Sequence, residues 1–361
     1  MFRILDKYIF SQLIPPFFFG FFLFVTIIAI DPIMQAMQNV VNENISYEVV
    51  WRWFYNRLPQ DMIYTFPMSV LLANLLVFGR MSKDSETTAM RAGGINFFRI
   101  MVPVLAFAAL VTAISFFFNE KIVPQANENA RRIRRNEINR IIEPETTENS
   151  ILRTSDGAFA YARRVNEKKA KMEQLLLEYY DQNGVLKKRI SASFANFNGQ
   201  NWVLENVVEQ SYNGPQALAS PTAIAQLEMP QIKEKPSDFA RQTKRTNEMS
   251  YKELKERIES YERSQFMDTT EMRVGLAMKT SLPFAALFFA VIGASYGLTN
   301  SRGGAFIGFG VSIGVIFFYY VLMSLFSALG NSGHIPPILA AWGQNIVFAV
   351  LGFFIIKRIN E

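Results

Sequence analysis

The sequence contains no cysteine and only one histidine, His334, among its 361 residues. The lack of cysteine excludes disulfides, thiolate metal sites and cysteine nucleophiles. A single histidine has no second histidine or cysteine with which to bind a metal, and its loop position gives no acid–base pair. We therefore expect no metal site, no catalytic residues and no cofactor in this chain.

Charged residues are also scarce, at 19% of the chain, whereas 50% of the residues are hydrophobic. A soluble protein usually has about a quarter of its residues charged. The apolar excess lies in blocks at both ends, and the middle third resembles a soluble domain. The net charge of +6 fits cytoplasmic anchoring residues better than nucleic-acid binding, since no basic run is interleaved with aromatics.

Six segments approach the roughly 20 apolar residues that a helix needs to cross a bilayer. The first is expected to be a retained helix rather than a signal peptide, because Pro15 and Pro16 lie within it and no small-residue cleavage pattern precedes Asp31. The second segment is the shortest. The six segments are about 13–33, 62–78, 97–118, 278–298, 305–329 and 337–356.

Lysines and arginines near the predicted helix ends indicate the orientation. If all six segments cross, most of these basic residues fall on one side, which the positive-inside rule assigns to the cytoplasm. Both termini are then cytoplasmic, and residues 119–273 lie outside. The basic residues of this side are Arg3, Lys7, Arg80, Lys83, Arg91, Arg99, Arg302, Lys357 and Arg358. The sequence therefore predicts a multi-pass membrane protein with an extracytoplasmic middle segment.

The predicted domains are helices 1–3 over residues 1–123, a periplasmic region over 124–272, and helices 4–6 over 273–361. Within the periplasmic region, alternating runs over about 148–235 predict an antiparallel sandwich or jelly roll. Tight hairpin turns are expected at Asp156-Gly157, Asn183-Gly184, Asn198-Gly199 and Asn213-Gly214, since these pairs tolerate positive φ. Ser250 and Glu253 have the spacing of a capping box at the start of a further helix.

The loop between the second and third segments predicts a short amphipathic helix over about 82–92. Ser82 or Asp84 is the expected cap, Glu86 lies in the first turn, and Gly93 ends the helix. Glu86 and Arg91 are expected on or near its polar face. Such a helix fits the groove of a partner protein, and the alternative is a solvated loop helix anchored to headgroups.

Two further patterns bear on function. Arg131 and Arg134 follow the third segment and share a helix face, where guanidinium groups suit the phosphates of a lipid headgroup. The alternative is an interfacial anchor. The fifth segment contains Gly303, Gly304, Gly308, Gly310 and Gly314. These small residues favour close packing, either within the chain or against a partner subunit.

No G-x-x-x-x-G-K-[ST] loop occurs in the sequence, so any ATPase that drives this protein is a separate chain. The layout resembles the lipopolysaccharide export permease family, the LptF/LptG-type subunits, over essentially the whole chain. The resemblance rests on four stretches in order: Phe66-Pro67-Met68, Ser85-Glu86 through Gly94, Asn119 through Gln125, and Ile335-Pro336-Pro337. The first and last of these lean toward the G-type subunit.

The resemblance implies a location in the bacterial inner membrane and a function. Two such permeases pair on a cytoplasmic ABC ATPase dimer, which binds ATP and Mg. The complex extracts lipopolysaccharide from the inner membrane and passes it along the periplasmic jelly rolls to a bridge protein of like domains. In the family the loop helix couples the permease to the ATPase, which matches Glu86 with Arg91 nearby. Two arginines after the third helix of G-type subunits contact substrate phosphates, which matches Arg131 and Arg134.

The sequence departs from G-type subunits in one respect. The family carries lysines near the outer end of the first helix, whereas residues 31–38 have none. Either the substrate carries less phosphate or the contacts are built elsewhere. Two other classes stay open on the sequence. One is a membrane-anchored envelope scaffold whose β-domain docks other periplasmic proteins without transporting lipid. The other is a membrane enzyme, which the single histidine and the lack of paired acids at a membrane face disfavour.

Overall fold

The computed structural model describes residues 4–43, 45–138, 146–166, 169–181, 184–213, 216–217, 220–236, 246–264, 268–299 and 304–360. The chain divides into two compact units. The helical unit comprises residues 1–139, 246–258 and 268–361. The β unit comprises residues 140–245 and 259–267, so it is inserted between two blocks of helices, as predicted.

The helices of the described chain are long, since apolar runs in both blocks carry few interruptions. Their bounds are α1 Ile4–Glu43, α2 Tyr47–Lys83, α3 Glu86–Ala92, α4 Phe97–Phe117, α5 Val123–Ile133, α6 Tyr251–Ser264, α7 Thr270–Thr299, α8 Gly304–Asn331 and α9 Pro337–Asn360. A π-helical turn, Phe118–Ile122, joins α4 to α5, and a second one, Arg134–Ile138, follows α5. At the start of α6, the Ser250 backbone N–H donates to Glu253 Oε2 and the Glu253 backbone N–H donates to Ser250 Oγ, which is the predicted capping box.

Six of the described helices are long and apolar enough to cross a membrane, and they correspond to the six predicted segments. The predicted second segment was the shortest because polar residues break its hydropathy. In the structure α2 is the most deeply packed helix, with Ser69 and Asn74 fully buried. A helix surrounded by other helices can hold such residues at membrane depth, because its neighbours shield them from lipid.

Three described glycines of α7 and α8 lie against α2: Gly293 and Gly297 of α7, and Gly308 of α8, which is one of the five glycines that the sequence singled out. Gly293 and Gly297 of α7 lie against α2, where an added Cβ would come within 2.9 Å of the Asn74 Cβ and 2.7 Å of the Phe78 Cβ. On α8, an added Cβ at Gly308 would lie 3.5 Å from the Leu75 carbonyl oxygen, whereas one at Gly310 or Gly314 would meet no atom within 4 Å. Gly303 lies outside the described residues. The described glycines 310 and 314 therefore do not serve packing within this chain.

The β unit is one open, jelly-roll-like antiparallel sheet, as the alternating runs predicted. Its strands are β1 Thr146–Arg153, β2 Phe159–Asn166, β3 Lys171–Tyr180, β4 Leu186–Phe197, β5 Trp202–Asn213, β6 Gln216–Ala217 and β7 Thr222–Met229. They pair in the order β1-β2-β3-β4-β5, and β5 also pairs with β6 and β7. Gly157, Gly184 and Gly199 have φ of +91°, +76° and +95° in the predicted hairpin turns, and Gly214 lies outside the described residues.

A crease crosses every long strand of this sheet on one line. The pairing ladders skip the same row of residues on all strands while the register stays equal on either side. Gln174 and Asn206 on this row have positive φ, 50° and 52°. The row comprises Asn149, Arg163, Gln174, Ser193, Asn206 and Ala225. At this row β2, β3, β4 and β5 each shift their alternation of buried residues by one, so the core residues on either side of the row belong to one cluster.

Candidate functional site

The loop helix predicted over 82–92 is shorter than expected and begins later. Helix α2 continues to Lys83 because Met81 and Ser82 are buried in the bundle, and Asp84 caps the end of α2. Ser85 then turns into the left-handed region, with φ of 59°, and α3 starts at Glu86 without a side-chain cap. The prediction that Ser82 or Asp84 caps this helix is therefore wrong, whereas its end at Gly93 agrees.

Helix α3 has one face against the bundle and one face open. Thr87 is buried and Met90 packs on the core cluster that contains α4. Arg91 is exposed, as are Thr88 and Ala89 on the same side. The helix is thus amphipathic, and Arg91 lies on its open face.

Glu86 is half-buried and is held by a residue far away in the sequence. The Tyr8 hydroxyl of α1 donates a hydrogen bond of 2.8 Å to Glu86 Oε2, across 78 positions. Sequence reasoning did not single out Tyr8, because neither its spacing nor its neighbours carry a signal for a contact at this range.

The first turns of α1 make two more polar contacts near α3. The buried carboxylate of Asp6 accepts hydrogen bonds from both terminal nitrogens of Arg99, at the start of α4. Arg80, in the last turn of α2, donates to Gln12 Oε1 at 3.0 Å. The start of α4, the end of α2 and the start of α3 are therefore tied to one segment of α1.

The arginine pair lies near the other end of α2. Arg131 of α5 forms an ion pair of 3.2 Å with Glu248, which is only 3% exposed. Arg134 begins the π-helical turn after α5 and is exposed. Packing of α5 against Trp53 of α2 fixes both positions. The two arginines therefore have different surroundings, although the sequence placed them on one face.

About 45 Å of helix separates Trp53 from Lys83 at 1.5 Å per residue. Since α5 packs beside Trp53 and α3 follows Lys83, the two predicted groups of site residues lie at opposite ends of the bundle. This span exceeds the ~30 Å hydrocarbon core of a bilayer. The arrangement permits one group to face each side of a membrane.

Extensive apolar surface remains open on the helical unit. On α1, Phe18, Phe19 and Phe22 are between 52% and 63% exposed, and Phe317 of α8 is 71% exposed. Such exposure is costly in water and favourable in lipid or against another apolar helix. Within the described residues no cluster of three or more His, Asp or Glu residues is arranged to hold a metal ion.

The sequence profile of the "Lipopolysaccharide export system permease LptF/LptG" family matches residues 7–358. The chain belongs to this family. Two relatives, the lipopolysaccharide export system permease proteins LptG of Escherichia coli strain K12 and of strain O6:H1 (CFT073), are each 22% identical over 371 aligned positions. The alignment covers 99% of this chain and 99% of each relative.

Membership of this family and the six apolar helices make the chain a multi-pass protein of the inner membrane and a transport permease. Both relatives carry the G-type name, the direction in which the Phe66-Pro67-Met68 and Ile335-Pro336-Pro337 stretches lean.

Proposed function

We propose that this chain is the transmembrane permease subunit of an ABC-type lipopolysaccharide export complex. A separate ATPase dimer, which binds ATP and Mg, powers the complex. Lipopolysaccharide leaves the inner membrane and passes to a periplasmic bridge of jelly-roll domains. The family match over residues 7–358 carries this proposal, because it covers both helical blocks and the inserted sheet.

The proposed topology places α3 in the cytoplasm and the sheet in the periplasm, with both termini cytoplasmic. The basic residues near the helix ends and the length of α2 support it. Because the chain has no cysteine, single cysteines report accessibility cleanly. Thr222→Cys in β7 should react with a membrane-impermeant maleimide in intact spheroplasts, and Thr88→Cys in α3 only after permeabilisation. Equal labelling of both positions in intact spheroplasts would contradict the topology.

Glu86 and Arg91 are proposed to couple the permease to the ATPase. Arg91 lies on the open face of α3, and Glu86 borders it. Glu86→Ala and Arg91→Glu should each reduce the amount of ATPase that co-purifies with the membrane complex, and transport should fall with it. The reason is that Glu86→Ala removes a charge and Arg91→Glu reverses one on a small docking surface, where a few residues carry most of the binding energy.

The matched control is Lys252→Glu in α6, which reverses the charge of a lysine whose side chain is 82% exposed. This variant should retain the ATPase. If Glu86→Ala and Arg91→Glu also retain a full complement of ATPase and full transport, the proposed coupling role is wrong. A protein that binds periplasmic partners but never a stoichiometric ATPase would instead fit an envelope scaffold.

Arg131 and Arg134 are proposed to contact the phosphates of the lipid at the periplasmic side. Guanidinium groups form charge-assisted bonds with phosphate oxygens, and Arg134 is exposed. Arg131→Glu combined with Arg134→Glu should weaken photocrosslinking of the complex to lipopolysaccharide. Crosslinking at the level of the unchanged protein would contradict the proposed contact of these two arginines with lipid phosphates.

A second permease subunit is proposed to cover part of the open helical surface. Gly310 and Gly314 of α8 leave room for close approach of another helix, and no atom of the described chain fills it. Mass spectrometry of the detergent-purified complex should report two permease chains, two ATPase chains and bound lipid. A complex with a single permease chain would contradict the pairing.

A further inference from the structure

The Tyr8–Glu86 hydrogen bond joins the first helix to the proposed docking segment. Tyr8 Oη lies 2.8 Å from Glu86 Oε2 in a half-buried setting. Hydrogen bonds to a charged acceptor are stronger than neutral ones and prefer one geometry. The bond therefore restricts the rotation of a side chain that otherwise has many rotamers.

We propose that Tyr8 is a positioning residue of the docking site, which fixes the Glu86 carboxylate in the orientation that the ATPase binds. The inference rests on the proposed function, since it assumes that Glu86 meets the ATPase. Tyr8 itself does not need to touch the partner.

The two oxygens of Glu86 have different surroundings, and this difference supports the proposal. Oε2 accepts the Tyr8 bond, whereas Oε1 accepts no hydrogen bond from any residue that the structure describes. Oε1 is thus left available to a donor on a partner. A carboxylate already held in place loses less conformational entropy on binding, because the rotamers of its side chain have been restricted beforehand.

Tyr8 is itself held firmly. On either side of it along α1, Asp6 binds Arg99 and Gln12 binds Arg80. Tyr8 also packs on the core cluster that includes Met90 of α3 and Phe97 of α4. These contacts fix the position of the Tyr8 hydroxyl. The hydroxyl can therefore orient the Glu86 side chain rather than move with it.

The test uses the membrane complex in nanodiscs and its purified ATPase, with the apparent Kd of docking as the readout. Tyr8→Phe removes only the hydroxyl and keeps the ring in the core. It should weaken docking about fivefold, the scale of one net hydrogen bond of ~1 kcal/mol. Ser11→Ala is the matched control, since this hydroxyl lies one turn away and, among the described residues, bonds to the Tyr8 carbonyl rather than to α3. It should leave docking unchanged.

A double-mutant cycle separates positioning from general stability. In a Glu86→Ala background, Tyr8→Phe should have no further effect, because there is no carboxylate left to orient. If Tyr8→Phe weakens docking equally in both backgrounds, Tyr8 acts only through the fold and the proposal is overturned. If Glu86→Ala weakens docking but Tyr8→Phe does not, the positioning role fails while the coupling role of Glu86 stands. If Glu86→Ala has no effect, the coupling role itself fails, and positioning with it.

Discussion

Arg99 donates hydrogen bonds from both of its terminal nitrogens to the Asp6 carboxylate, and the Nη2–Oδ2 distance is 2.7 Å. Only 4% of the Asp6 side chain is exposed, compared with 29% of that of Arg99. The pair joins the first turn of α1 to the first turn of α4, 93 positions away. Because the carboxylate is the buried member, the consequences of breaking the pair depend on which partner is removed.

Arg99→Met should destabilise the helical unit, because it removes the guanidinium that pairs with the buried Asp6 carboxylate. Asp6→Asn combined with Arg99→Met should recover part of this loss, since the remaining amide carries no charge. Thermal unfolding of the detergent-purified chain measures both changes. A double variant that is no more stable than Arg99→Met alone would show that burial of the charge is not the cause.

Substitution of Gly297 by alanine should destabilise the isolated chain more than the same substitution at Gly314. A Cβ at Gly297 would lie 2.7 Å from the Phe78 Cβ and 3.2 Å from the Gly79 nitrogen, so α7 and α2 must separate. A Cβ at Gly314 has open space. Overpacking of this kind costs about 1–3 kcal/mol of stability. We therefore expect Gly297→Ala to lower the melting temperature of the isolated chain in detergent.

Gly314→Ala is the control for that measurement, and it should leave the melting temperature of the isolated chain unchanged. If α8 meets a second permease as proposed, Gly314→Leu should instead lower the yield of the assembled complex. Equal destabilisation of the isolated chain by Gly297→Ala and Gly314→Ala would contradict the packing described.

Asn206 should tolerate glycine but not valine, because its φ of 52° lies in the left-handed region. Glycine adopts this region without cost, whereas a β-branched residue does not. Asn206→Val should destabilise the sheet by about 1–2 kcal/mol, and Asn206→Gly should be close to neutral. Hydrogen exchange of the β5 amides in the full-length chain measures the effect. Equal protection in both variants would show that the crease does not depend on this conformation.

The crease also shows what the sequence contained and what pattern reading missed. In β2 the core-facing residues are Ala160 and Ala162, then Val165. In β5 they are Trp202 and Leu204, then Val207. Each strand therefore shifts its alternation by one residue where it crosses the same line. A search for period-two alternation finds the strands. A shift of one residue within a single strand resembles a random interruption of the pattern, and it becomes recognisable only when the register shows that all the shifts lie on one row.

The six membrane helices were predictable because a run of about 20 apolar residues matches the thickness of a bilayer and is rare in soluble domains. The turns at Gly157, Gly184 and Gly199 were predictable because their chemistry is local. The start of α3 was not, since the burial of Met81 and Ser82 extends α2 beyond the expected boundary. Contacts such as Tyr8–Glu86 depend on how distant helices pack, and no spacing in the sequence encodes them.

The environments of Arg131 and Arg134 predict different outcomes for matched single substitutions. Arg131 pairs with the buried Glu248 at 3.2 Å, so Arg131→Gln should lower the melting temperature of the chain. Arg134 is exposed, so Arg134→Gln should leave the melting temperature unchanged.

Photocrosslinking to lipopolysaccharide completes the comparison. Arg134→Gln should reduce it, because an exposed guanidinium meets a phosphate without first giving up a buried partner. At Arg131, a phosphate must compete with the Glu248 carboxylate for the guanidinium, and this competition weakens the binding of the phosphate. Glu248→Gln lowers that competition and should therefore increase crosslinking when Arg131 is present, but not in the Arg131→Gln background. If Arg131→Gln alone abolishes crosslinking without loss of stability, Arg131 is the principal phosphate contact and its pairing with Glu248 is readily exchanged.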